Sequence, residues 1–445
     1  MLSHMSNSVS DAKDDTHKGG ISPMQRRVLA GASVGQFIEF YDLALFGVSA
    51  VVLSHVFFPE GNDFTALLLL FATYGIAFFV RPLGGMFFGA LGDRIGRRNV
   101  LVITLLTIGI ATTAIGLLPG YDSWGAWATA LLVLFRLLQG FSAGGESVGA
   151  ASFVFEHAPT HRRGLFVNIV LAATALPAVV AAFLNLGLSA SMSDEAFNSW
   201  GWRIPFLIAL PMALIGLYIR SKTEESEMFQ EMFEETQALD IKPTPIRDAF
   251  KFQWLRMVQV LFVMGLTALG FNYLSGYFVP YVQTVVGLGR EQALLMSMSS
   301  MVLYTILLPI AGHIGDRVGR RPMLIAGAIT IAVLAIPAFL LVTSGSMILG
   351  ILGQWIFVVA ISLYGGGCYT FFVEVFETSS RFSAAGISYN TAYALFGGTA
   401  LFMGNLFIGI TDVDYAPAFW LLGLAIVTLL VIFATKVPET RGRVH

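Results

Sequence analysis

The chain has 445 residues, of which 56% are hydrophobic and only 12% charged, and its mean hydropathy is +0.74. Soluble domains carry roughly 25% charged residues, so this much apolar surface requires lipid as its solvent. A net charge of −2 supplies no clustered basic face for nucleic acid, and the lone Cys368 excludes an internal disulfide or a cysteine metal cage.

Met1–Gly20 is polar and lacks the apolar core of a cleavable signal peptide. Residues 1–27 therefore read as a disordered cytoplasmic tail, and the first membrane segment serves as an uncleaved insertion signal. Apolar stretches long enough to cross ~30 Å of hydrocarbon as helices follow at 28–55, 64–90, 99–118, 125–154, 164–189 and 203–220. The stretch 221–255 is rich in Glu, Lys, Asp and Arg and reads as a cytoplasmic linker with a surface helix. Six more apolar stretches come at 256–285, 292–314, 322–343, 347–373, 383–410 and 416–435, leaving 436–445 as a short cytoplasmic tail. The expectation is an all-α membrane protein of 12 transmembrane helices in two pseudo-symmetric six-helix bundles, 28–220 and 256–435.

Orientation follows from basic residues. Arg94, Arg97, Arg98, Arg163, Arg220, Arg317, Arg320, Arg321, Arg381, Lys436 and Arg441 share one side of this arrangement, whereas the opposite loops keep only Arg203 and Arg290. Basic loops stay in the cytoplasm, which places both termini and the linker there, in an inner or plasma membrane.

One string marks a duplication. Gly89–Arg98 (G-A-L-G-D-R-I-G-R-R) returns as Gly312–Arg321 (G-H-I-G-D-R-V-G-R-R), with the aspartate and all three arginines retained. A repeat near half the chain length means two halves inserted in the same orientation. The spacing puts both copies in short cytoplasmic turns, between spans two and three and between spans eight and nine. Their charges, Asp93, Arg94, Arg97 and Arg98 in one copy and Asp316, Arg317, Arg320 and Arg321 in the other, suit a network that holds one face of the bundle shut. A second repeated pattern joins them, since Glu156 precedes Arg163 by seven residues and Glu374 precedes Arg381 by seven.

The duplicated turn resembles the signature of the major facilitator superfamily, and Arg136-Leu-Leu-Gln139-Gly140 resembles its span-four motif. Glu39-Phe-Tyr-Asp42, Phe79-Val-Arg81-Pro82-Leu-Gly-Gly85, Gln139-Gly-Phe-Ser-Ala-Gly-Gly-Glu146 and Trp200-Gly-Trp-Arg203-Ile-Pro-Phe206 narrow the match to the metabolite:proton symporter family. Its members include transporters for α-ketoglutarate, citrate, shikimate, and proline or betaine. The resemblance implies two six-helix bundles, a site between them and proton-coupled uptake by alternating access. Ser388-Tyr-Asn390 with Phe396-Gly-Gly398 look most like the organic-acid branch. Two departures stand out: Glu377 replaces a Pro usual in relatives, and span five lacks the Gly-Pro-Gly motif of antiporters.

Charges inside the spans must face protein or water. Glu39 and Asp42 lie three apart on one helix face and are the candidates for proton coupling, with a salt bridge to a neighbouring span as the alternative. Arg136, in a span that lines the cavity in this superfamily, either clamps a substrate carboxylate or is the fixed partner of Glu39 or Asp42. Arg81 is a second cation for an anionic ligand, or an ion-pair partner of Glu146 or Asp93. Asn272, Tyr273, Tyr277 and Tyr281 in span seven, with Tyr389, Asn390 and Tyr393 in span eleven, offer flat walls with polar tips for a small metabolite. Gly365–Gly367 would let span ten bend.

The predicted function is proton-coupled uptake of a small metabolite, foremost a di- or tricarboxylate. Uptake of a zwitterionic osmolyte such as betaine or proline is the alternative, and the chain's end at His445 without a coiled-coil tail weighs against it. A non-transporting receptor of the same fold is the reading from another class. No nucleophile–base pair, metal-ligand cluster or P-loop occurs, so neither an enzyme nor a cofactor or metal is expected. The partners are the substrate, protons and the bilayer, and the chain is expected to be a monomer.

Overall fold

The computed structural model describes residues 23–59, 61–95, 97–144, 151, 154–155, 158–222, 245–376 and 381–442. The side chains of 92–99 and 381–383, among others, fall outside that description. Every regular element among the described residues is helical. In hydrocarbon each backbone N–H and C=O must be satisfied within its own segment, and the apolar runs do this as helices.

We number the long helices in chain order. α1 runs Pro23–Val48 and continues as Ala50–Phe57 after a 69° bend at Ser49. α2 is Asp63–Ile95, α3 Arg97–Leu117, α4 Ala126–Ala143, and α6 Arg203–Lys222. α5 comprises Arg163–Ala172 and Leu176–Ser191 joined by a 3₁₀ turn. α7 comprises Pro245–Asn272, a wide π turn at Tyr273–Tyr277, and Phe278–Thr284. α8 is Arg290–Val318, α9 Arg320–Val342, α10 Met347–Glu374 and α12 Pro417–Ala434, while α11 runs Arg381–Ala392, a π turn at Tyr393–Gly397, and Ala400–Thr411. By length and composition nine described helices can cross a membrane, or eleven if each bent pair counts as one span. The remaining apolar stretch, Val102–Leu117, is shorter.

α1–α6 pack among themselves, as do α7–α12, and the two groups meet along α1–α7, α2–α11, α5–α8 and α5–α10. Two of these seams require glycine. A Cβ on Gly47 (α1) would lie 2.5 Å from the Gly276 Cα (α7), and one on Gly75 (α2) 2.6 Å from the Gly398 oxygen (α11). Both seams sit next to the π turns, which widen α7 and α11 where they face the middle of the molecule. In α7 the widening has a local cause: Pro280 has no N–H to return to the Gly276 carbonyl.

Three expectations change. The end of the expected linker, 245–255, is the first part of α7, because a helix does not stop where its apolar run stops. The stretch 436–441 folds back onto the bundle, burying Val437 and Thr440, instead of trailing as a tail. Gly365–Gly367 do not bend α10, which is continuous. They let it lie close to α8 and α9: a Cβ on Gly366 would meet the Ala311 backbone at 2.5 Å, and one on Gly367 the Arg320 oxygen at 2.9 Å.

Candidate functional site

The middle of the first half holds four buried charges. Asp42 Oδ2 (α1) lies 3.5 Å from Arg136 Nη1 (α4), and Glu39 Oε1 (α1) lies 3.9 Å from Arg81 Nη1 (α2). A charge buried alone costs several kcal/mol or more, so each cation here answers an anion. The arginines also use ring faces: Arg136 stands 4.4 Å from the Phe46 centroid and 5.4 Å from that of Tyr74, and Arg81 stands 4.6 Å from Phe78. Arg136 Nη1 donates to Gln139 Oε1 at 2.9 Å, and Gln139 Nε2 donates to Thr112 Oγ1 at 2.8 Å.

These contacts resolve the open pairings. Arg136 is the partner of Asp42, and Arg81 is the partner of Glu39; Glu146 lies outside the described residues and Asp93 outside the described side chains. Commitment is partial. Arg136 Nε and Nη2 and Arg81 Nε are buried without a hydrogen-bond partner among the described residues, leaving donors for an arriving carboxylate.

Against this charge cluster lies a small cavity between the two halves. It is lined by Phe40, Leu43 and Ala44 of α1, Tyr74 and Phe78 of α2, Thr174 of α5, Phe271, Asn272 and Ser275 of α7, and Tyr393 of α11. At about 10 Å³ it has room for roughly one water molecule. The Tyr74 hydroxyl donates to Asn272 Oδ1 at 2.7 Å across the seam between the halves. The cavity is thus closed down on itself.

Of the residues read as substrate contacts, Asn272 and Tyr393 line this cavity. Arg81 and Arg136 stand one ring behind its wall, over Phe78 and Tyr74. Tyr273 packs on Phe339 and donates to the Pro417 carbonyl at 3.2 Å; Tyr277 stacks between Tyr273 and Tyr281 at 5.0 and 5.3 Å. Spacing by four does stack these rings along α7, and Tyr277 also meets Phe71 of α2 across the seam at 6.0 Å. Tyr389 stacks on Tyr393 at 4.4 Å, and Asn390 donates to the Gly386 carbonyl of its own helix. Phe40, Tyr74, Phe78 and Phe271 of the aromatic wall escaped the sequence reading. Its only local sign is Tyr74–Phe78 at helical spacing ahead of Arg81.

The repeated motif closes one end. Asp316 (α8) accepts from the backbone N–H of Gly164 at 2.7 Å and of Leu165 at 2.9 Å, at the start of α5 in the other half. A carboxylate on exposed helix-start donors is a strong placement, since both hydrogen bonds and dipole favour it. Contact needs two glycines, because a Cβ on either Gly164 or Gly312 would meet the other's carbonyl oxygen at 2.5 Å. Behind Asp316, Arg320 Nη2 donates to Asp316 Oδ1 at 3.0 Å, and Arg320 forks onto Glu374 with two 3.0 Å bonds. Thr440 Oγ1 donates to Glu374 Oε2 at 2.7 Å, while Glu439 accepts from the N–H groups of Arg320 and Arg321 at 2.9 and 3.0 Å. Arg441 donates to the Arg317 carbonyl.

Asp316 is therefore the member of the second motif copy that crosses between halves, and Arg320 and Glu374 brace it. Glu374 pairs with Arg320. Arg317 is exposed and contributes its carbonyl, Arg321 contributes its backbone N–H, and Arg163 lies 4.3 Å over the Phe155 ring. Glu156 lies outside the described residues, and the side chains of Asp93, Arg94, Arg97, Arg98 and Arg381 are likewise not described. Glu439 and Thr440 were missed because six residues after an apolar helix read as a tail.

The opposite end carries a lighter link. Arg290, at the start of α8, donates to Asn198 Oδ1 at 2.7 Å, lies 3.7 Å from Asp194 Oδ1 and stands 4.3 Å over Phe197. Arg203 instead serves its own half, donating to the Gly116 and Leu118 carbonyls.

Comparison with known proteins matches this architecture. A family model described as "Sugar (and other) transporter" covers residues 28–445. The chain is 32% identical to the glycine betaine/proline/ectoine/pipecolic acid transporter OusA of Dickeya dadantii (strain 3937), over 91% of this chain and 82% of that one. It is also 32% identical to a proline/betaine transporter of Escherichia coli (strain K12), over 94% of this chain and 84% of the relative. The solved structure of the proton:xylose symporter XylE bound to 6-bromo-6-deoxy-D-glucose superposes with a TM-score of 0.75 at 21% identity, over 95% of this chain and 98% of that one. A partially occluded inward-open XylE from E. coli gives 0.75 at 20% identity, over 95% and 100%. The chain belongs to the sugar (and other) transporter family of the major facilitator superfamily, and is a multi-pass membrane transporter, not an enzyme.

Proposed function

We propose that this transporter couples inward proton movement to the uptake of a small zwitterion of the proline or betaine kind. One observation carries the reading: the buried charges at the centre balance. Two guanidinium groups meet two carboxylates, so the site holds no surplus positive charge for a di- or tricarboxylate. A net-neutral zwitterion brings one carboxylate and one ammonium and leaves the balance intact. The cavity wall supports the same choice, since its rings offer π faces to a compact methylated or secondary ammonium. The relatives' chemistry agrees: OusA and the E. coli protein are named for betaine and proline. This reading replaces the organic-acid expectation with its stated alternative.

The mechanism follows from the partners. A proton on Asp42 removes the anion opposite Arg136 and frees that guanidinium for the substrate carboxylate, using donors already uncommitted. Glu39 and Arg81 form the second such pair. Substrate entering the cavity displaces the Tyr74–Asn272 hydrogen bond, which joins α2 to α7 across the seam. The halves then rock, opening the motif end, which the positive-inside pattern assigns to the cytoplasm. Asp42 loses its proton to the interior, recovers Arg136 and releases the substrate.

Uptake into proteoliposomes with an imposed pH gradient tests this reading. Labelled proline and glycine betaine should accumulate when the outside is acidic, and citrate and α-ketoglutarate should neither accumulate nor compete. Asp42→Asn should retain counterflow and lose gradient-driven accumulation. Accumulation indifferent to the gradient, or preferred accumulation of citrate, would overturn it.

A further inference from the structure

Asp42 does not line the central cavity. It lines a second one, entirely within the first half, whose other walls are Ile38 and Tyr41 of α1, Ile108, Gly109 and Thr112 of α3, and Ala209, Met212 and Ala213 of α6. The two cavities share no residue. The second is also about 10 Å³, a volume suited to one water and too small for any metabolite. Three oxygen-bearing side chains face it. The Asp42 carboxylate accepts. Thr112 Oγ1 gives its proton to the Ile108 carbonyl at 2.8 Å and receives one from Gln139, so its second lone pair remains. The Tyr41 hydroxyl donates to the Pro205 carbonyl at 2.9 Å and can accept.

From these contacts we infer that the cavity between α1, α3 and α6 is a dedicated water site through which the proton reaches and leaves Asp42, separate from the route taken by the substrate. The inference rests on the proton-coupling role of Asp42 proposed above. A proton arrives on the water from bulk solvent and passes to Asp42 Oδ, forming the O–H bond, and the water is left neutral. On release the same water takes the proton back and returns it to solvent. The charged groups around Asp42 are Arg136 on α4 and, farther off, Arg81 on α2 with its partner Glu39. α3 and α6 place no titratable side chain on the cavity, so nothing competes with Asp42 for a proton delivered there. Thr112 and Gln139 form a chain from this wall to Arg136, which makes Thr112 a positioning residue for both the water and the ion pair. Separate routes also explain how the carrier can be loaded while substrate fills the centre.

Two variants test it: Ala209→Val, which fills the cavity, and Thr112→Val, which removes an oxygen at nearly constant shape. In proteoliposomes, gradient-driven uptake of proline or glycine betaine should fall by roughly tenfold, the scale on which a positioned proton-transfer group acts. Counterflow at equal pH, which moves no net proton, should stay near wild type in Ala209→Val, whose side chain touches neither the ion pair nor the Thr112–Gln139 chain. A substrate-independent measurement accompanies it: X-ray hydroxyl-radical labelling of the purified protein should mark Met212 and Tyr41, and Ala209→Val should abolish that labelling. Unchanged driven uptake in both variants, a parallel fall in uptake and counterflow in Ala209→Val, or unlabelled Met212 and Tyr41 in wild type would each overturn the inference. If Asp42→Asn itself still accumulates substrate, it is the coupling role of Asp42 that fails; if only the cavity variants behave as wild type, the separate route fails.

Discussion

The two ends of this transporter are closed in different ways. At the motif end Asp316 is buried, accepts two backbone N–H groups from α5, and is braced by Arg320, Glu374, Thr440 and Glu439. At the opposite end Arg290 reaches Asn198 and an Asp194 whose side chain is 92% exposed. Buried charge that is fully hydrogen-bonded has two states, made or broken, and breaking it is costly. An exposed pair is screened by salt and contributes little. The motif end therefore behaves as a latch, and the opposite end as a light charged tie between Arg290 and the Asp194–Asn198 stretch.

The contrast orders the expected effects of substitution. Asp316→Ala leaves Arg320 short of a partner and two helix-start donors bare, and should cost about 3–5 kcal/mol of closed-state stability. Cysteines placed near Gly164 should then become reactive to a membrane-impermeant thiol reagent applied from the motif side, and a wild-type labelling rate would break the comparison. Gly164→Val places branched carbons where the Gly312 carbonyl sits, at about 1–3 kcal/mol. The chain should reach the membrane in normal amount yet fail to close that end, read as lost counterflow. Thr440→Val removes one hydrogen bond to Glu374, about 1 kcal/mol, and should lower the melting temperature of the purified protein by a small, measurable step. Arg290→Ala should cost least, about 0.2–1 kcal/mol, and leave transport active. Raising NaCl should loosen the Arg290 end and spare the motif end, as followed by thiol accessibility on each side. A large transport defect in Arg290→Ala would show that the two ends are latched alike.

Much of this was readable from residue order. Apolar runs long enough for lipid set the helices. The ten-residue repeat marked the duplication, and the spacing of Glu39 and Asp42 put two carboxylates on one face of α1. Pairing was not readable. Arg320 and Glu374 stand 54 apart in the chain and meet because α9 and α10 pack side by side. Tyr273 and Tyr277 look like substrate contacts until packing turns Tyr273 onto Phe339 and α12 and seats Tyr277 between Tyr273 and Tyr281, while Phe40 and Phe78 look like lipid-facing rings until they meet Phe271 and Tyr393 across the seam.

The sequence by itself determined what is local: which segments are helices, how many times the unit repeats, and which charges must be buried. Those follow from period and hydropathy, which act between residues a few positions apart. Only the tertiary structure decided which charge answers which, which rings wall the cavity, and that Asp42 borders a cavity apart from the central one. Such facts depend on helices distant in sequence arriving within a few ångströms, where hydrogen bonding and close packing choose partners that spacing along the chain does not specify.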